Sequence, residues 1–253
     1  MATNPTPLLS IVTITYNNLE GLQKTAQSIT AQTCDNYEWI IIDGNSDDGT
    51  VQFLETVKAD ISISEPDHGI YDAMNKGLAQ ATGQYSLFLN AGDVLENQHT
   101  LQEIKERIEH KKYDFIYGDS AEEISGKITF KRSRPHTKIN QGMFTHHQAM
   151  IYNISIIQKI KYDTQYKIAA DYDLTWKAIK QSKEFLYLPF PMCIFEAGGV
   201  SQQQVVKGRI EQFKIRKSHG IAFIKNLSIF IAQSLVYILR RICPRLYWFL
   251  KRR

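Results

Sequence analysis

Cysteine is scarce: Cys34, Cys193 and Cys243 stand far apart, without the paired spacing that a zinc cluster or a disulfide framework needs. A reducing compartment suits such a chain. No apolar leader opens it, since Met1 to Pro7 is short and polar, and the expectation is a cytosolic start. Neither a GxGxxG fingerprint nor a Walker loop occurs, so the glycine-rich cradles for dinucleotides and ATP are missing. A base and ribose bound here must be held by side chains. The most uneven absence is of acid. The last carboxylate is Glu211, and ten Lys or Arg follow it; the 20 basic residues before that point fall six short of the 26 acids. A mildly acidic body thus carries a basic tail. That argues against a general nucleic-acid binder, which would show basic charge on its folded body, and for attraction to an anionic membrane surface.

With 253 residues the chain can form one α/β domain, or one domain with an appendage. Leu8 to Ile14 reads as a buried strand, followed by the loop Thr15-Tyr16-Asn17-Asn18 and a helix through Gln32 on the spacing of Leu19, Leu22, Ala26 and Ile29. Glu38 to Ile42 is a second strand. It closes on Asp43-Gly44-Asn45-Ser46-Asp47-Asp48-Gly49-Thr50, a loop dense in carboxylates, hydroxyls and glycines that can cap a helix starting near Val51. Asp60 to Ser64 and Tyr85 to Leu89 are a third and fourth strand. Short connections between strand and helix mean a parallel, Rossmann-like sheet with right-handed crossovers. An Asp at a strand tip can accept from a base N–H or a ribose hydroxyl, and Asp43 is placed for that.

The run Glu65 to Asp93 holds a turn, a helix with Ile70, Met74, Leu78 and Ala81 on one face, the fourth strand, and Asn90-Ala91-Gly92-Asp93 at its carboxyl end. Ligands bind at that edge of an open α/β sheet. Asp93 beside small residues suits a hard cation carrying a diphosphate; the same four residues also read as a polar turn before the next helix. Thr100 to Glu103 has capping-box form and opens an exposed helix to about Lys111. Beyond Asp114 to Gly118, a strand ending in Asp119, the parallel units break down, and residues 113–200 read as the half that meets a second substrate.

In that half His146 and His147 are adjacent, and on a strand they would face opposite ways, so at most one enters a given pocket; a structural histidine is the plainer reading. Asp171 and Asp173 enter a helix, where a carboxylate serves as a cap or as a catalytic base. Glu196-Ala197-Gly198-Gly199-Val200-Ser201 is a loop that could order over a ligand or be a turn. Ile221 to Leu239 is mostly apolar, broken by Lys225, Asn226 and Gln233, and followed by Arg240, Arg241, Arg245 and Lys251-Arg252-Arg253. Lying in a headgroup layer fits these polar breaks better than spanning a bilayer; a buried helix of a homodimer is the alternative.

Taken together, SIVTITYNN, IIIDGNSDDGT, DHGIYDAMNKGLAQATGQYSLFLNAGD and AADYDL resemble the bacterial family 2 glycosyltransferases of the GT-A fold, over roughly residues 8–200. The resemblance implies a mixed α/β sheet flanked by helices: a transferase domain over 1–200, with a nucleotide-sugar half (8–112) and an acceptor half (113–200), and a basic amphipathic tail over 201–253. It implies that Thr15, Tyr16 and Asn17 line the nucleotide pocket, that Asp43 holds uracil, and that Asp47 supports the nucleoside end. Asp67, Asp72 and Lys76 then flank the diphosphate and sugar. Asn90 to Asp93 takes the DXD position, where Asn90 and Gly92 replace acids and Asp93 alone is left to bind Mn2+ or Mg2+. Asp171 falls at the base, with Asp173 its neighbour and competitor; His147 and Asp173 belong to the acceptor region. The implied reaction moves a hexose or N-acetylhexosamine, with inversion, from a UDP-sugar to a sugar on a polyprenyl diphosphate. Its setting is the cytoplasmic face of the inner membrane, in O-antigen, capsule or exopolysaccharide assembly. A membrane-associated nucleotide-sugar binder without catalysis is the competing reading, which the altered NAGD motif permits.

Overall fold

The computed structural model describes residues 6–124, 126–196 and 203–243. Its first half alternates β1 (Leu9–Thr15), α1 (Leu19–Thr30), β2 (Tyr37–Asp43), α2 (Thr50–Leu54), β3 (Ile61–Ser64), α3 (Ile70–Gln80) and β4 (Tyr85–Phe88). The short β5 (Val94–Leu95) and α4 (Thr100–Ile108) follow. The second half holds β6 (Phe115–Ile124), β7 (Lys127–Lys131), β8 (Met150–Asn153), α5 (Ile154–Ile160), α6 (Ala170–Gln181) and β9 (Phe185–Glu196). Two helices end it, α7 (Val205–Ser218) and α8 (Phe223–Ile242).

One nine-stranded sheet runs through both halves in the order β3-β2-β1-β4-β8-β6-β9-β5, with β7 paired to β6. β3, β2, β1 and β4 are parallel, as expected. The mixed character enters at β8, antiparallel to both β4 and β6. Every residue of β1 is buried, which a central strand covered on both faces requires. Alternation sorts its side chains: Val12 and Ile14 face the layer of α3 and α6, whereas Leu9 and Ile11 face α1 and α4. Gly77 lets α3 lie close on the sheet, since a Cβ there would meet Val12 Cγ1 at 2.4 Å.

Strand order reverses between β1 and β4, and the loops leaving those two strands therefore diverge around a crevice. That crevice is where the candidate site forms.

Three local expectations change. The Thr100 capping box does not form: His99 is the N-cap residue, Thr100 Oγ1 accepts from Asn97 N, and the Leu101 N–H is satisfied by Gln32 Oε1 at 3.0 Å. β6 continues past Asp119 to Ile124, because β7 and β9 pair along its far end. His147 lies in a 3-10 turn, His147–Ala149, with His146 as its N-cap residue, so the opposite-facing rule for strand neighbours does not apply.

The boundary expected at residue 200 falls outside the described residues, as do the glycine loop at 197–201 and the basic residues Arg245 and Lys251 to Arg253. Beyond it, α7 shares the body's core through Ile215, which is fully buried. Asn226 at the start of α8 accepts from Arg216 Nε at 2.6 Å and donates to Phe213 O at 2.8 Å, tying α8 to α7. Among the described residues no helix is long and apolar enough to cross a membrane.

Candidate active site

The loops at the carboxyl ends of β1 and β2 lace together. Asn17 N donates to Ser46 Oγ at 2.7 Å, and Asp47 N donates to Asn17 Oδ1 at 3.0 Å. Both Asn17 and Asn45 have positive φ, 47° and 67°, which asparagine tolerates best among residues with a Cβ. The lacing presents Tyr16, which is 66% exposed, as an open aromatic face beside Gly44. Thr15 Oγ1 is buried and has no partner among the described residues.

Asp43 has a different surrounding from the one the sequence suggests. It is fully buried, and its carboxylate accepts from Ser46 N at 3.0 Å, Ser46 Oγ at 2.5 Å and Ser64 Oγ at 2.6 Å. In this conformation it organises the β2 loop and has no exposed surface to offer a base. Asp72 and Lys76 likewise turn inward on their own loop. Lys76 Nζ meets Glu65 at 2.7 Å and donates to Pro66 O at 2.7 Å, and Asp72 Oδ2 accepts from His68 N at 3.0 Å. They brace the turn that carries Asp67, whose Oδ1 accepts from Gly69 N at 2.7 Å and which does line the crevice. Asp47 is exposed and outside the lining.

The crevice is a cavity of about 580 Å3 whose wall has, among the described residues, four carboxylates, Asp67, Asp93, Asp171 and Glu196, and neither Lys nor Arg. Asp93 is 7% exposed. Burial pushes its carboxyl up to about 7, against the hydrogen bonds from Gln148 Nε2 at 2.6 Å and Glu196 N at 3.3 Å. Gly92 has φ 101°, and a Cβ there would sit 2.9 Å from Glu196 Oε2, so this turn needs glycine twice over. Asn90 Oδ1 is buried without a partner among the described residues, while its Nδ2 contacts His147 Nε2 at 3.2 Å. Among the described residues no three His, Cys, Asp or Glu cluster as a complete metal cage. The donor set nonetheless fits a hard cation that takes its remaining ligands from a diphosphate: Asp93, the orphan Asn90 oxygen, and an excess of negative charge that a diphosphate could not enter unaccompanied.

Asp171 stands at the start of α6. Its Oδ1 accepts from Tyr172 N at 2.8 Å and from Tyr71 Oη at 3.4 Å, and burial raises its carboxyl to about 6. Asp173 does not compete. It is 2% exposed and pairs with Lys177 at 2.5 Å and His219 at 3.1 Å; burial works to raise its pKa, but these two partners hold it below the ordinary range. It joins α6 to α7 and lines neither cavity.

A second cavity, of about 830 Å3, also has Asp171 in its wall and is lined by residues within 134–148 and by the two C-terminal helices. His147, Gln148, Ile168, Asp171 and Phe195 belong to the walls of both. His146 joins His147 in the wall of this second cavity, contrary to the expectation that only one of the pair would reach a given pocket. Burial holds both imidazoles neutral, at about 3 for His146 and about 4 for His147.

Several residues of this arrangement escape sequence reasoning. Gln148 and Glu196 hold Asp93 from 55 and 103 residues away. Glu211 on α7 accepts from the backbone N–H groups of Lys167, Ile168 and Ala169 at 2.8–3.0 Å, fixing the segment that leads into Asp171. Its one sequence signal is its place as the last acid before a basic tail.

The model of glycosyl transferase family 2 matches residues 10–182. An uncharacterized glycosyltransferase of Mycobacterium tuberculosis is 31% identical over 206 residues, 78% of each chain. A PGL/p-HBAD biosynthesis glycosyltransferase of Mycobacterium bovis is 28% identical over 230 residues, 86% of this chain and 88% of that one. Among solved structures, S. aureus TarS 1-349 in complex with UDP-GlcNAc superposes with TM-score 0.68 at 18% identity, covering 82% of this chain and 64% of its own. A mannosyltransferase of Pyrobaculum calidifontis with GDP-Man and Mn2+ gives TM-score 0.62 at 15% identity, covering 97% and 78%. The strand order, the crevice and these likenesses agree: the chain belongs to glycosyl transferase family 2 and has the GT-A fold.

Proposed function

We propose that this glycosyltransferase moves a hexose or N-acetylhexosamine from a UDP-sugar to a sugar carried on a polyprenyl diphosphate, with inversion, in bacterial surface polysaccharide assembly. The observation that carries the reading is the position of Asp171 in the wall common to two cavities. One cavity takes the donor. Tyr16 offers the base a stacking face, Thr15 Oγ1 an unsatisfied hydroxyl, and Asp67 a carboxylate for ribose or sugar hydroxyls. UDP is favoured because one solved neighbour of the same fold carries UDP-GlcNAc.

The other cavity takes the acceptor. Its hydroxyl must lose a proton to become a competent nucleophile, and Asp171 is the carboxylate that reaches both substrates. As the hydroxyl oxygen bonds to the anomeric carbon, the bond from that carbon to the diphosphate oxygen breaks, and Asp171 takes the proton. A single displacement turns an α-linked donor into a β-linked product. Asp93, with Asn90 Oδ1, would hold Mn2+ or Mg2+, which supplies positive charge to the departing diphosphate. His147 positions Asn90, and Asp173 holds α6 to α7.

The C-terminal helix supports a membrane-bound acceptor. Ile224, Leu227, Ile231, Leu235, Ile238 and Ile242 are exposed at spacings of three and four residues along α8, with Lys225 and Arg241 exposed near its ends. We assign this stripe to the headgroup layer of the cytoplasmic face of the inner membrane. A transfer assay tests the reading, using a panel of UDP-, GDP- and dTDP-sugars with Mn2+ and a synthetic lipid-diphosphate GlcNAc or GalNAc acceptor. One sugar should be transferred, and Asp171→Asn should lower the rate roughly 10²- to 10⁴-fold with UDP affinity retained. Undiminished transfer by the variant would remove Asp171 as base. A nucleotide sugar that binds but is transferred by neither protein would favour the non-catalytic binder.

A further inference from the structure

We infer that the second cavity docks the anionic linker of an amphiphilic acceptor on Arg209 and Arg134, with the C-terminal helices forming the subsite. The inference rests on the reading of Asp171, in the cavity's wall, as the base. Arg209 on α7 and Arg134 in the loop before the 3-10 helix at His136–Gln141 both line the cavity, and neither is ion-paired with a carboxylate among the described residues. Arg209 is half-buried. Its guanidinium lies 5.0 Å from the centroid of the Tyr237 ring and donates to Gln233 O; Arg134 spends one N–H on Met143 O at 2.8 Å. Each retains donors in the planar fork that fits phosphate oxygens. Half-burying a guanidinium without a counterion is unfavourable unless an anion is brought to it, and burial already draws the Arg209 pKa downward.

A second observation points the same way. Gln233 Oε1 is a buried acceptor with no donor among the described residues, on a side chain that lines the same cavity, and a sugar hydroxyl would satisfy it. The remaining wall toward α8 is apolar, with Ile229, Ala232 and Val236. Val236 is 51% exposed and continues outward beside Leu235 of the exposed stripe. The wall therefore combines a carboxylate, an amide, two guanidinium groups and an aliphatic surface. A phosphate between a sugar and a lipid chain matches that set; a neutral glycan leaves both guanidinium groups without an anion.

Calorimetry on the full chain, saturated beforehand with UDP and Mn2+, tests this with three probes: decyl diphosphate, inorganic pyrophosphate and neutral decyl glucoside. Decyl diphosphate should bind, and Arg209→Ala and Arg134→Ala should each weaken it roughly tenfold or more, with Arg209→Lys between the two. The glucoside should bind more weakly and equally to all forms. If decyl diphosphate binds the variants as tightly as the parent, or no more tightly than the glucoside, the subsite is wrong. Pyrophosphate binding as tight as decyl diphosphate would overturn the lipid-linked assignment. Should Arg209→Ala lower thermal stability, Arg134→Ala decides, because Arg134 lies in an exposed loop. Transfer by Asp171→Asn is a separate readout: its persistence would defeat the base assignment while leaving the arginine result to stand on binding alone.

Discussion

The two cavities that meet at Asp171 have opposite electrostatics. The donor crevice gathers four carboxylates with neither Lys nor Arg among the described residues of its lining, and the other cavity holds two arginines against an apolar helix wall. A nucleotide diphosphate and an acceptor phosphate would both be anionic, so the same ligand charge is met by two different devices. On the proposed reading, positive charge would enter the crevice with the ligand as a metal ion, whereas in the second cavity the chain would supply it. That difference would keep the nucleophile's side free of the metal and leave one carboxylate of raised pKa, Asp171, in the wall between the two substrates.

Removing the metal should separate the two sides most sharply. Chelation by EDTA is expected to lower UDP affinity and transfer by roughly two orders of magnitude, restored by Mn2+, while decyl diphosphate binding changes little. Equal loss at both sites would merge them. The pH profile comes next. The Asp171 carboxyl is raised to about 6 and must be ionised to accept a proton, so kcat/KM with saturating metal should be flat at high pH. It should fall about tenfold per unit below the inflection near pH 6. An inflection near 4 would mean that Asp171 is not the titrating base.

Glu211→Ala should act on the acceptor side through the backbone it holds. Three N–H groups at residues 167–169 lose their acceptor, for a loss of about 2–4 kcal/mol of stability by thermal or urea unfolding, with Glu211→Gln intermediate. Unchanged stability would show that water replaces the carboxylate there. The smallest effect belongs to the tail. Ile231→Glu with Leu235→Glu should reduce binding to anionic vesicles severalfold and leave UDP affinity as it was, since both side chains are exposed on α8. Retained vesicle binding would move the membrane contact elsewhere.

The sequence reading and the structure agree most closely where one property dominates a segment. β1 and β2 are apolar runs rich in branched side chains, so the parallel half and its loops could be read directly, and Asp93 and Asp171, singled out at a strand end and by the family resemblance, both line the crevice. Lys76 and Asp43 show what location alone leaves out. Each sits where the resemblance implies a ligand contact, and each also meets partners that location does not reveal, Glu65 and Pro66 for Lys76 and Ser46 and Ser64 for Asp43. Thr100 matched a local capping pattern, but Gln32, 69 residues away, supplies the cap. The acceptor-side wall was least legible. Glu211 and Arg209 lie in a helix whose residues form no clear apolar face, and their roles come from contacts across more than twenty residues of chain.

The anomeric configuration of the product, read by proton NMR from the coupling at the newly formed linkage, tests the shared-wall account most directly. With an α-linked UDP-sugar of gluco or galacto configuration, one displacement assisted by Asp171 predicts a β-linked product. An α-linked product would contradict it, because retention needs either two displacements through a covalent intermediate or attack from the leaving-group side, and neither is the single displacement assigned to Asp171.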